Sequence, residues 1–154
     1  DYENFETREI IGFDVFGDFP SNVDLNSDKA FINEFTSEGG NGISKSDLDM
    51  YLKNKNFKNY QLIKGDIIDS LPRFLKDNPE KRFAMVHIDV DVYEATKCIL
   101  ENIWEKVVKG GLVLFDDYGI VDGGTRAIDE FFSDKDIVFQ QLKYKYKPAF
   151  VIKD

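Results

Sequence analysis

RFAMVHIDVDVYEATKCILENIWEKVVKGGLVLFDDYG, residues 82–119, decides the fold class. Arg82–Asp89 is a short apolar run that ends in a carboxylate, and it predicts a strand. Tyr93–Val108 carries Ile99, Leu100, Ile103, Trp104 and Val107 at helical spacing and predicts the best helix in the chain. Lys109-Gly110-Gly111 is expected to end that helix. Leu112–Phe115 is apolar throughout and predicts a second buried strand.

The same alternation continues on both sides. Upstream, Arg8–Asp14 and Tyr60–Lys64 predict strands, and Ser44–Lys55 and Ile67–Lys76 predict helices, the second despite Pro72. Ser44 and Asp47 stand where a capping box places its N-cap and its acid. Val15–Gly42 is rich in Gly, Asn, Ser and Asp, contains Pro20 and the cluster Gly39-Gly40-Asn41-Gly42, and is expected to be mostly loop. Downstream, Thr125–Phe132 predicts a helix, and Ile137–Leu142 with Ala149–Lys153 a closing strand pair. Residues 1–7 are polar and read as a tail or as the end of something cut away. Strands alternating with helices imply an α/β fold whose mostly parallel sheet is covered on both faces, here one domain over residues 1–154.

Composition narrows the function. Hydrophobic residues make up 42 % of the chain, enough for a packed core. The acids outnumber the bases 29 to 20, for a formal charge of -9, and such a surface repels polyphosphate backbones, so nucleic acid is not expected as a partner. No apolar run approaches the roughly 20 residues of a membrane span, and no signal peptide opens the chain, so no membrane partner is expected. The single Cys98 permits no intrachain disulfide and suits a reducing, cytoplasmic setting.

Four of the apolar strands run into carboxylates: Asp14, Asp66, Asp89 with Asp91, and Asp116 with Asp117. In an open parallel α/β sheet, the carboxyl ends of the strands line one edge, where ligands bind. One acid after a strand is an ordinary helix cap or turn former. The repetition is what points to a site. Adjacent anions such as Asp116-Asp117 repel unless a cation or hydrogen-bond donors offset them. All-oxygen ligands select a hard cation, Mg²⁺, Mn²⁺ or Ca²⁺, over zinc. Solvated caps for the two following helices are the alternative.

HIDVDVYEATK (His87–Lys97), KGGLVLFDDYG (Lys109–Gly119) and GGTRAIDEF (Gly123–Phe131), in that order, resemble the macrocin O-methyltransferase family. FDVFGDFP (Phe13–Pro20) and LIKGDIIDSLP (Leu62–Pro72) resemble two further family elements, the first with Gly17 and Asp18 in swapped order. The resemblance implies a Rossmann-like class I methyltransferase, a three-layer sandwich. It also implies S-adenosylmethionine as methyl donor, Mg²⁺ as cofactor and a hydroxyl on a sugar-containing small molecule as acceptor. Homo-oligomerisation is compatible with it. By position, it places Asp89, Asp116 and Asp117 at the metal and Asp91 as general base. It places Asp14 at the donor's ribose, Asp66 near its adenine and Phe16 beside the nucleoside. Class I methyltransferases carry a Gly-rich turn after a first strand that lies centrally, between the second and fourth. No such strand and turn precede Arg8, and the expected fold lacks that strand.

Other residues have two readings each. His87 is a second base or a sheet-face or core histidine; Tyr93 touches substrate or caps the core. Arg126 pairs with the Asp doublet, a substrate phosphate or a surface acid. Cys98 and Trp104 read as packing, and LKYKYK (Leu142–Lys147) as an edge hairpin guarded by lysines. Two rival functions remain: a metal-dependent glycosyltransferase built on the acid-x-acid pair Asp89/Asp91, and a non-catalytic Rossmann-like binding domain.

Overall fold

Period-2 alternation and helical periodicity each produce the elements they predict in a computed structural model, which describes residues 8–19, 23–40, 42–143 and 145–154. The tail 1–7, Pro20, Asn41 of the glycine cluster and Tyr144 of LKYKYK lie outside the described residues. The order is β1 Ile10–Asp14, α1 Asn26–Ser37, α2 Lys45–Asn54, β2 Tyr60–Lys64, α3 Ile67–Asp77, β3 Phe83–Ile88, α4 Tyr93–Ile103, β4 Val107–Phe115, α5 Asp122–Phe132, β5 Gln140–Leu142 and β6 Lys145–Ile152. Half of the capping box is seen: Ser44 Oγ accepts from the Asp47 N–H at 3.1 Å, while the Asp47 carboxylate accepts from the Ser44 hydroxyl at 2.6 Å.

The sheet is in two parts. β1 and β2 pair in parallel, Ile10 opposite Tyr60 and Asp14 opposite Lys64. The second part runs β3-β4-β6-β5. β3 and β4 are parallel, with Ile88 opposite Phe115, while β6 is antiparallel to both β4 and β5.

Alternation along the strands sorts the two faces. Ile88, Val113, Phe115 and Val151 are buried and pack, with Leu71, Leu100 and their neighbours from α3, α4 and α5, into one core. Burying such a side chain fully stabilises by about 1.5–3 kcal/mol. Trp104 is buried in this core and meets the Phe132 ring edge-on at 5.0 Å, the packing role expected of it. Cys98 is only half-buried. Met85, His87, Leu112, Leu114, Phe150 and Ile152 alternate with the core positions and point to the opposite face. That face is open enough to leave Met85 58 % and Ile152 43 % exposed.

Two expectations are corrected. Residues 26–37, expected as loop, form α1. The helix is hard to read because its N-cap, Leu25, offers no side-chain cap and its one buried residue is an acid, Asp28. Lys109-Gly110-Gly111 does not terminate α4. That helix ends at Ile103, a single tight turn spans Trp104–Lys106, and the chain is already extended at Val107. The glycines lie within β4: Gly110 has φ +75° and donates to the Lys153 carbonyl at 2.6 Å, while a Cβ on Gly111 would sit 2.6 Å from Val107 Cγ1. No helix among the described residues is long and apolar enough to cross a membrane.

Candidate active site

β3 and β4 end side by side, and their ends carry the acids. The ladder runs one step beyond the paired Ile88 and Phe115, because the Asp116 N–H donates to the Ile88 carbonyl at 3.1 Å. The residues that follow therefore leave the sheet at one level. One carboxylate oxygen from each of Asp89, Asp116 and Asp117 lies within 4.8 Å of the others, close enough for a single divalent ion to touch all three.

Asp91 completes the cluster. It occupies the left-handed region, φ +61°, which a non-glycine residue adopts only when its surroundings hold it there. Those surroundings are two backbone hydrogen bonds at its flanks. The Gly124 N–H donates to the Asp91 carbonyl at 2.9 Å, and the Val92 N–H donates to the Val90 carbonyl at 2.6 Å. Thr96 Oγ1 adds a bond to the Val92 carbonyl at 2.9 Å. The turn delivers the Asp91 side chain into a recess lined also by Thr96, Asp116, Asp117, Tyr118 and Gly124.

The electrostatics follow from this crowding. Burial pushes the Asp91 carboxyl up to about 7, helped by a hydrogen bond with Asp117 and by the charges of Asp117, Asp89 and Asp116. Two carboxyls can hydrogen-bond to each other only if they share a proton. A cation held by Asp89, Asp116 and Asp117 would relieve the same repulsion, so the residues present suit a hard divalent ion.

The other expected site residues lie on the β1–β2 rim. Asp14 and Asp66 come together there, since the Gly65 N–H donates to the Asp14 carbonyl at 3.0 Å. Both also perform local tasks. Asp66 caps α3, accepting from the Ile68 N–H at 3.0 Å, and Asp14 accepts from the N–H of Phe16. Phe16 is buried and has φ +52°. His87 is exposed on β3, with Nε2 3.3 Å from the Asp116 carboxylate, so it is a sheet-face residue that borders the acids. The Tyr93 hydroxyl, from α4, donates to Glu130 of α5 at 2.6 Å, and Arg126 of α5 pairs with the same acid at 2.8 Å.

Residues 1–144 match the sequence profile of the family described as Macrocin-O-methyltransferase (TylF). The chain belongs to the macrocin O-methyltransferase family. Among relatives of this O-methyltransferase family, the chain is 36 % identical over 87 residues to demethyldecarbamoylnovobiocin O-methyltransferase of Streptomyces niveus, a match covering 54 % of this chain and 33 % of that protein. It is 39 % identical over 69 residues to 8-demethyl-8-(2,3-dimethoxy-alpha-L-rhamnosyl)-tetracenomycin-C 4'-O-methyltransferase of Streptomyces olivaceus, covering 42 % of this chain and 26 % of that one. The matches thus span about a third or less of these curated relatives.

The fold is likewise that of class I methyltransferases. The O-methyltransferase NovP superposes with a TM-score of 0.81 at 22 % identity, over 97 % of this chain and 61 % of NovP. CalS11, a TDP-rhamnose 3'-O-methyltransferase, does so with a TM-score of 0.65 at 25 % identity, over 94 % of this chain and 58 % of CalS11.

Sequence reasoning missed three parts of the site. Asp28 was lost with α1. The helix was expected to begin at Thr125, whereas Gly123 and Gly124 lie inside the first turn of α5 and are buried. Tyr118 lines the recess and donates to Asp129 at 2.7 Å. The signal for the glycines was their adjacency: two residues without side chains at a helix start mark a close approach of something else.

Proposed function

We propose that this chain belongs to an S-adenosylmethionine-dependent, divalent-metal-assisted O-methyltransferase. Its acceptor is a hydroxyl on a sugar, in a glycosylated natural product, a nucleotide sugar or a polysaccharide precursor, and it acts in the cytoplasm. The observation that carries the reading is the convergence of Asp89, Asp116 and Asp117 within 4.8 Å, with Asp91 beside them. Family membership supports the reaction class, and the sugar-bearing acceptors named for the Streptomyces olivaceus relative and for CalS11 support the substrate class.

In this reading, Asp89, Asp116 and Asp117 hold Mg²⁺ through oxygen ligands. S-adenosylmethionine, when bound, supplies a methyl group on a positively charged sulfur, and Mg²⁺ supplies positive charge that lowers the pKa of a coordinated hydroxyl. Asp91 takes the acceptor's proton, since its left-handed turn places a carboxylate beside the three acids that would hold the ion. The β1–β2 rim offers Asp14 to ribose hydroxyls and Asp66 to the adenine amine, each as hydrogen-bond acceptor. The recess around Asp91 orients the acceptor, because methyl transfer is chiefly a positioning problem.

The test is S-adenosylhomocysteine formation by the full-length protein with Mg²⁺ and a panel of glycosylated acceptors. Asp117→Asn is expected to abolish turnover with folding retained. A variant that keeps wild-type turnover overturns the reading. Calorimetric binding of a sugar nucleotide with Mn²⁺, in place of S-adenosylhomocysteine, would instead support a glycosyltransferase.

A further inference from the structure

Asp28 is the fully buried acid of the described residues, 0 % exposed, and it lies outside the acid cluster at the sheet rim. Placing a carboxylate there is costly unless something compensates it. Compensation comes from one helix start, and a second helix start packs against the other oxygen. Its Oδ2 accepts the N–H of Tyr93, the first residue of α4, at 2.8 Å. Its Oδ1 lies against Gly123, the second residue of α5, and makes no hydrogen bond of ordinary geometry among the described residues. A Cβ on Gly123 would sit 1.9 Å from that oxygen, so the approach is possible only because position 123 is glycine. The positive end of the α4 dipole meets the carboxylate, while Glu94 and Asp122 in the first turns of α4 and α5 oppose its charge.

The consequence lies one residue away on each helix. Tyr93 closes the loop Asp89–Val92, and Gly124 donates to the carbonyl of Asp91. The same carboxylate thus fixes the end of the acid loop and the height of the helix that pins its middle. We propose that Asp28 is a positioning residue for this site: seated between the starts of α4 and α5, it holds Asp91 in its left-handed turn beside Asp89, Asp116 and Asp117. This rests on the metal reading above only for the purpose of the loop, not for the seat itself.

Two measurements on ¹⁵N-labelled chain separate the seat from the metal. The first is native-state amide hydrogen exchange without metal at Tyr93 and Gly124, with Val113 as the core control. The second is Mn²⁺ titration. Asp28→Ala is expected to speed exchange at Tyr93 and Gly124 about tenfold beyond any change at Val113, and to weaken Mn²⁺ binding by about tenfold, as loss of a ligand-orienting group does. Asp28→Asn keeps an oxygen for the Tyr93 N–H and is expected to restore both. Gly123→Ala drives a methyl into Oδ1 and is expected to reproduce the Asp28→Ala pattern, which keeps the test open should Asp28→Ala fail to fold. Unchanged exchange at Tyr93 and Gly124 in Asp28→Ala, or equal damage from Asn and Ala, overturns the proposal. The expected exchange pattern in a wild-type chain that takes up no Mn²⁺ upholds the seat and overturns the metal reading.

Discussion

The carbonyl of Asp91 and the N–H of Gly124 are joined at 2.9 Å, so the first turn of α5 holds the backbone of the residue assigned as base. A Cβ on Gly124 would come 2.9 Å from that same carbonyl oxygen. Gly124→Ala therefore forces α5 and the Asp91 turn apart. We expect it to cost about 1–3 kcal/mol of stability, the usual penalty of overpacking. In the full-length enzyme it should lower kcat more than KM, because the base is displaced while most acceptor contacts remain. Denaturant melts and steady-state kinetics check both halves.

Asp116→Asn and His87→Ala distinguish a ligand from a neighbour. The two side chains sit 3.3 Å apart, and both are well exposed. An exposed pair of this kind contributes about 0–1 kcal/mol, so His87→Ala should leave stability and Mn²⁺ affinity nearly unchanged. Asp116→Asn removes a charged oxygen ligand and should weaken Mn²⁺ binding by about tenfold or more. Equal effects of the two substitutions in a Mn²⁺ titration would contradict the assignment of Asp116 as ligand.

The metal-free chain should grow less stable as pH rises from about 4 to about 7. Burial raises both the Asp91 carboxyl, to about 7, and the Asp28 carboxyl. A carboxyl whose folded pKa lies above its unfolded value holds its proton more tightly when folded. Its contribution is therefore greatest below the unfolded value and is lost as pH climbs through the folded one. Thermal melts from pH 4 to 8 with chelator present check the slope. Mn²⁺ should flatten the upper part of it by offsetting the charge on Asp91.

Core truncation should be far more damaging than any surface change. Leu100 is 2 % exposed and lies between α3, α5 and the sheet. Leu100→Ala should cost about 2–5 kcal/mol, the transfer term plus the cavity left behind, read from the shift in urea midpoint at constant slope.

Strands β3 and β4 and helices α3 to α5 were legible because each buries a face whose period shows in sequence. Tyr60–Lys64 came out residue for residue, and Ser44 announced α2 by its side chain. The acid cluster was legible because Asp89 and the Asp116-Asp117 doublet stand at strand ends, where parallel pairing makes neighbours of residues distant in sequence. What failed has one cause, tertiary context overriding local pattern. Val107 continues the helical spacing of α4 but pairs with Phe83 of β3, and with Val108 it lies in β4, where β-branched side chains pack well. Asp28 carries no local signal, since what it seats are two helix starts 65 and 95 positions further on.

The face bearing Met85, Leu112, Leu114, Phe150 and Ile152 has a consequence for handling the polypeptide. Parallel sheets are normally shielded on both sides, and here Met85 and Ile152 stand exposed beside the half-buried Leu112, Leu114 and Phe150. Such a face marks a contact or an aggregation liability. The isolated chain should therefore brighten anilinonaphthalene dyes in its native state and self-associate as concentration rises. Charged replacements at Met85 and Ile152 should suppress both effects without disturbing the acids at the sheet's edge.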